Sequence, residues 1–272
     1  MLHGRERQRS FPSFSMYFPH AEEVDRLDGI LAWFENIKAD FILNFIEKDR
    51  WLMLVKGLGN TLLMTTYATI IGVIIGIIIA VIRCTWDLNG KRIKNPLARG
   101  VLAVLNRIGV IYTTVLRGTP MVIQLLILYY VVFAWSSNGL LVASLSFGLN
   151  SGAYVSEIFR SGIMSIDKGQ FEAGSSLGFH YIQTMWYIIA PQMFKNVLPT
   201  LANEFITLLK ETSIAGYATV MDLTFAGNRI RGVTYSPFMP LIAVALIYLA
   251  MVMLLTYFVG KLERRLRQSD NR

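Results

Sequence analysis

Apolar residues along this chain fall into long runs, and what interrupts each run decides what it can become. Residues 58–82 and 239–260 contain no charged side chain, and each exceeds the roughly 20 residues a helix needs to cross about 30 Å of hydrocarbon. Two further runs carry polar residues at helical spacing. Along 139–163, Ser146, Asn150, Tyr154, Glu157 and Ser161 share one face, and 196–221 carries Thr200, Asn203, Glu204, Thr207, Lys210 and Glu211. The run 101–135 is too long for one perpendicular crossing and contains Arg107 and Arg117. A helix over 96–116 lying flat at the interface leaves both arginines at headgroup depth. The chain then bends at Gly118-Thr119-Pro120 and crosses again over 120–136. The pattern predicts an all-α polytopic membrane protein with an interfacial helix and five spans, at about 58–82, 120–136, 139–163, 196–221 and 239–260.

On the first span Thr65, Thr69, Gly72, Gly76 and Ala80 form a small-residue stripe that lets another helix approach closely. Before it, Val24, Leu27, Ile30, Leu31, Phe34, Ile37, Phe41 and Phe45 recur at helical spacing, with acids at Glu22, Glu23, Asp25, Asp28, Glu35 and Asp40. Residues 21–56 therefore read as an extracytoplasmic amphipathic segment, lying on the membrane or packed against the bundle. Residues 1–20 read as a disordered lead without the apolar core of a signal peptide. Met16 is an alternative start, one that removes Arg5, Arg7 and Arg9. Residues 268–272 read as a short tail.

Residues 165–195 sit between two spans but are too polar to be one, with Lys168, Glu172 and His180 among them. They predict a helix-turn-helix elbow. Asp167 is placed to cap the first helix, with Gln170 in the reciprocal position. Gly178 suits its left-handed end, and a second helix from about 180 stops at Pro191. Such an elbow presents Phe171, Leu177, Phe179, Met185 and Trp186 on an aqueous side, where apolar side chains imply a protein partner.

Charge fixes the orientation. The 272 residues carry 26 Lys and Arg against 18 Asp and Glu, a net charge of +8. The basic residues flank the apolar runs: Arg83, Lys91, Arg92, Lys94 and Arg99 in one loop, Lys261, Arg264, Arg265 and Arg267 after the last span. They are topology signals, not a nucleic-acid surface. They put the 83–99 loop, the elbow and the C-terminus in the cytoplasm and the N-terminus outside. One cysteine, Cys84, excludes an internal disulfide, and His3, His20 and His180 are too scattered to predict a metal site. Asn89-Gly90-Lys91-Arg92 lacks the first glycine and the hydroxyl of a P-loop. Neither an ATP site nor a hydrolytic constellation is evident, so an enzyme is not expected.

Charged and amide side chains inside the spans are the remaining chemistry, since such residues face a bundle interior or a wet pathway. Glu157, Asn150 and Ser161 on the third span, with Asn203, Glu204 and Thr207 on the fourth, are the expected substrate pathway. Lys210 and Glu211 are expected to serve packing, Lys210 pairing with Glu204 or Glu211.

Glu172-Ala173-Gly174, then Gly178, Ile188, Ala190 and Pro191, resembles the EAA loop of ABC-importer permeases, with Gly174 and Ala190 departing from the usual Ala and Leu. Arg117-Gly118-Thr119-Pro120, the segment Ala153 to Arg160, and Leu208-Leu209-Lys210-Glu211-Thr212-Ser213 are similar to the polar-amino-acid permeases of that class. The resemblance covers most of 57–267 and implies an ABC transporter transmembrane domain. It implies that Glu172, Ala173, Gly174, Gly178 and Phe179 couple to a cytoplasmic ATPase dimer, which binds the ATP and Mg itself. It also implies that Arg117, Gly118, Thr119, Pro120, Lys210, Thr212 and Ser213 are structural family positions. A second permease protomer would complete the pathway in a bacterial cell membrane, and an extracytoplasmic binding protein would deliver a polar or charged amino acid. Two other readings stay open on the residues alone: an ion-coupled secondary transporter with Glu157 or Glu204 as its proton site, and a non-transporting scaffold.

Overall fold

The computed structural model describes residues 26–90 and 93–268. The lead at 1–20, residues 21–25, Lys91 and Arg92, and residues 269–272 of the tail lie outside the described residues. Among those described, the chain is helical without strands: α1 Arg26–Phe41, α2 Trp51–Asn89, α3 Pro96–Gly118, α4 Met121–Ile127, α5 Gly139–Met164, α6 Lys168–Ser176, α7 Tyr181–Thr184, α8 Ala190–Glu211, α9 Leu223–Thr234 and α10 Phe238–Gln268. Three of them, α2, α3 and the Phe238–Leu266 part of α10, are long and apolar enough to cross a membrane.

α2 and α5 form the spine, and the small-residue stripe explains why. Thr61, Thr65, Ala68, Gly72, Gly76, Ala80 and Cys84 are all buried along one side of α2. A Cβ at Gly72 would meet Ser151, and one at Gly76 would meet Val155. The two helices therefore run parallel with backbones in near contact, which maximises dispersion where lipid removes the hydrophobic advantage of burial. Ala68 takes the place on this face expected for Thr69.

The chain divides at Gly118-Thr119-Pro120 as expected, but the helical piece after it, Met121–Val132, is shorter than the expected 120–136. α3 starts on an Asn95 cap, whose Oδ1 accepts from the backbone N–H groups of Leu97 and Ala98. It does not lie apart from the bundle. The Tyr112 hydroxyl donates to the carbonyl of Leu149, and Gly109 sits against Ile79. α4 and the π-helical turn Leu128–Val132 that follows it continue along the same side of α5, with Tyr129 reaching Gly139 at its start. That piece, Met121–Val132, rises only about 18 Å at about 1.5 Å per residue, too short for a span. So 96–118 packs beside the middle of α5, and 121–132 runs antiparallel to it from Asn150 toward Gly139. The two are broken where Pro120 forces Thr119 into extended backbone (φ −119°, ψ 148°).

The return along α5 is also broken. Pro191 does not stop the elbow's second helix: it sits in the first turn of α8, where a missing N–H costs nothing. α8 ends at Glu211, short of the expected 221, and tightens into a 3-10 turn, Thr212–Ala218, closed by Thr219 in the left-handed region (φ 58°). Met64, Leu125, Phe147, Leu208, Ala215 and Ala218 share one core, so both breaks pack against the same place. Beyond it, α9 occupies the expected loop 222–238. The Asp222 carboxylate accepts from the N–H groups of Thr224 and Phe225 and starts that helix. Phe45, Leu54, Leu223, Ile230 and Val244 form a separate core at this far end, and α10 then runs back past the bundle.

Candidate functional site

The first break is sealed by amides. Ending α3 at Gly118 leaves carbonyls that no helical N–H reaches. Gln124 Nε2 lies 2.8 Å from the Leu116 carbonyl oxygen, 3.0 Å from that of Thr119 and 2.8 Å from Thr119 Oγ1. Asn150 Nδ2 donates to the Leu116 carbonyl (3.0 Å) and to Gln124 Oε1 (2.9 Å). Asn150 is buried and its donors are spent on the backbone, so it braces the break and does not open onto a pathway.

Below that break sits an arginine-rich cluster. Glu157 Oε1 accepts from Arg83 of α2 and stands 4.0 Å from Arg117 of α3. Its Oε2 takes Arg160 at 3.0 Å, and Arg160 reaches Asp87 at 3.8 Å. Arg117 also lies over the Tyr154 ring, 5.2 Å from its centroid. One carboxylate held by three guanidinium groups ties α2, α3 and α5 together.

The second break is different. Thr212 Oγ1 closes it by donating to the Leu209 carbonyl (2.7 Å), but the turn before it points outward. Asn203, Thr207 and Lys210 are all exposed on one face of α8, joined on neighbouring α5 by exposed Tyr154 and Ser161. α8 runs antiparallel to α5, with Ser151 Oγ donating to Glu204 Oε1 (3.0 Å) at one level and Asn196 reaching Ser165 (3.2 Å) at another. Of the six expected pathway residues, Ser161, Asn203 and Thr207 are on the open face. Asn150, Glu157 and Glu204 are turned into helix contacts. Among the described residues the ion pairs involve Arg50, Arg83, Arg117 and Arg160. Lys210, expected to pair and pack, is in none of these short contacts, although its charge acts on neighbouring Glu211.

The elbow keeps its expected shape. Asp167 caps α6 by accepting from Gly169 (2.6 Å), although Gln170 reaches Gln192 and not the cap. Gly178 has φ +83°, and the Phe179 N–H returns to the Gly174 carbonyl (3.0 Å) to close the helix end. His180 and Gln183 then form a reciprocal cap on α7. Gly174 is buried, and a Cβ there would strike Thr184 and Ile188, which accounts for glycine where alanine is usual. Leu177, Ile182 and Trp186 are more than 70% exposed, with Phe179 also open. Phe171 and Met185 pack inward on the core of Ala80, Val155, Ile189 and Met193 instead. Glu172 and Ala173 are exposed beside the apolar group, as are Gly118 and Pro120 at the first break. Burial pushes the Tyr181 phenol up in pKa, against a hydrogen bond with Thr85 at the end of α2 that lowers it. Tyr181 thus joins elbow to spine.

Sequence reasoning passed over Arg83, Gln124, Arg160 and Tyr181. Arg83 read as a topology charge, and Gln124 four residues after a proline was a visible signal for a capped break.

Residues 97–268 match the family described as binding-protein-dependent transport system inner membrane component. The chain is 41% identical over 162 residues to the arginine transport system permease protein ArtQ of Bacillus subtilis (strain 168), spanning 58% of this chain and 74% of that one. It is 40% identical over 158 residues to the putative glutamine transport system permease protein GlnP of Rickettsia bellii (strain RML369-C), spanning 57% and 72%. A chain from the crystal structure of an amino acid ABC transporter with histidines superposes with a TM-score of 0.70 at 34% identity, covering 81% of this chain and 98% of the other. Broken paths around a shared core, an exposed elbow and these matches agree: the chain belongs to the binding-protein-dependent transport system inner membrane components, the permease subunits of ABC importers.

Proposed function

We propose that this permease carries a polar or charged amino acid through a wet seam formed by two protomers. The observation behind the reading is the exposed row Asn203, Thr207 and Lys210 on α8. Lys210 stands in the last turn of α8, where holding it in hydrocarbon costs up to roughly 2.5–3.5 kcal/mol, the figure for a helix centre. Facing a second protomer across water removes that cost. Lys210 offers an ammonium to the substrate carboxylate, and half-buried Glu211 beside it offers a carboxylate to the substrate ammonium. Relatives named for arginine and glutamine transport support an amino acid as cargo. Glu157, saturated by arginines, holds the frame around this seam and is not in the contact set.

Five crossings fit the chain: α2; α3 with α4; α5; α8 with Thr212–Ala218; and α10. The Lys and Arg asymmetry puts the N-terminus outside, with the 83–99 loop, the elbow and the C-terminus in the cytoplasm. The family implies an ATPase and a substrate-binding protein as partners. The ATPase supplies the ATP and Mg²⁺ chemistry this sequence lacks, docking on Leu177, Ile182 and Trp186. ATP-driven closure then pushes the elbows and shifts the protomers between inward- and outward-facing states.

Uptake of labelled amino acids into vesicles holding permease, ATPase and binding protein tests this. ATP-dependent accumulation, abolished when Gly178→Val distorts the elbow, is the expected result. Accumulation that persists without ATP and collapses with a protonophore would establish ion coupling instead.

A further inference from the structure

α10 carries a notch that the bundle does not use. Val252, Met253, Thr256, Tyr257, Gly260, Lys261 and Arg264 line a surface cleft of about 620 Å³. It opens at Gly260, where an added Cβ would meet nothing within 4 Å. Met253 and Tyr257 are 63% and 66% exposed, while Ile247, Tyr248 and Met251 on the other side of the helix pack against the far core.

Depth and charge say what fits. From Phe238 to Gly260 the helix rises about 34 Å at about 1.5 Å per residue, which matches the hydrocarbon thickness. Lys261 and Arg264 therefore stand at phosphate level, with the notch beside the acyl chains of the same leaflet. Exposed Lys261, Arg264 and Arg265 outnumber the one acid of this turn, half-buried Glu263. A second copy of this chain meeting the same patch about a two-fold axis would bring like charges together.

We propose that this notch binds one anionic phospholipid. An acyl chain lies along Val252, Met253 and Gly260. The phosphate sits between Lys261 and Arg264, and the Tyr257 hydroxyl donates to the phosphate or glycerol oxygens. The site is independent of which solute the permease carries.

The test uses the permease–ATPase complex in phosphatidylcholine vesicles containing spin-labelled phosphatidylglycerol or spin-labelled phosphatidylcholine. The motionally restricted fraction should favour phosphatidylglycerol by about fivefold, the worth of one cation near the surface. Lys261→Gln with Arg264→Gln should bring that ratio close to one. Gly260→Leu, which keeps both charges and fills the notch, should also lower it. Complex assembly, followed by gel filtration, should be unchanged in both variants. Unchanged lipid preference in both variants would overturn the proposal. So would displacement of the label by inorganic phosphate, which marks a soluble-anion site. Efficient disulfide formation between two copies carrying Met253→Cys would also overturn it, since a protomer would then fill the notch.

Discussion

The two mid-path breaks rest on one core yet are built in opposite ways. The first, at Gly118-Thr119-Pro120, is imposed by proline, and its carbonyls are met by Gln124 and Asn150. The second, after Glu211, needs no proline. It tightens into a 3-10 turn, closes on Thr212 and leaves Lys210 exposed. The first, with the Leu116 and Thr119 carbonyls met by amides of its own chain, is scaffold. The second turns a cation outward beside Glu211, which feels its charge.

That contrast can be broken by substitution. Lys210→Gln should leave assembly intact and cut uptake per complex by about 10- to 100-fold, the worth of one charge-assisted hydrogen bond at about 1.5–3 kcal/mol. Uptake at the unsubstituted level would strip the second break of its role. Gln124→Leu should act the other way. Leaving the buried Asn150 amide without the Gln124 Oε1 it donates to costs about 1–3 kcal/mol, seen as a lower melting temperature and less assembled complex, with uptake per surviving complex retained.

Two milder changes sharpen the comparison. Glu157→Gln should destabilise by about 1–2 kcal/mol, since three arginines lose their shared charge while the amide still accepts. Melting temperature measured against salt checks this, because the loss should shrink as salt screens the remaining cations. Thr119→Val removes a hydroxyl that donates to Val115 (2.9 Å) and receives Gln124. It should cost about 0.5–1.5 kcal/mol, and thermal unfolding of the purified complex would register it.

Local features were legible in the sequence. The glycine stripe of α2, the Gly178 corner and the bend before Pro120 each follow from residues a few positions apart. Contacts between distant residues were not. Glu157 looked like a pathway acid because its partner Arg83, 74 residues earlier, also satisfied a topology rule. Asn150 looked equally open, since nothing local shows that Gln124 and Leu116 take up its amide. Lys210 shows the same limit: helical spacing gives a face without saying what that face meets, and its side chain lies exposed. The helix α9 was missed despite its readable Asp222 cap, because its short run resembled a loop between two spans.

The parallel spine has a consequence for biosynthesis. Two parallel helices cannot be consecutive crossings, so α3 and α4 must be threaded between α2 and α5 as the chain emerges. Until Gly139–Met164 has left the ribosome, the glycines of α2 have no backbone to meet and its stripe faces lipid or the insertion machinery. The close pairing of α2 with α5 is thus unavailable to the nascent chain until more than half of its residues have been made.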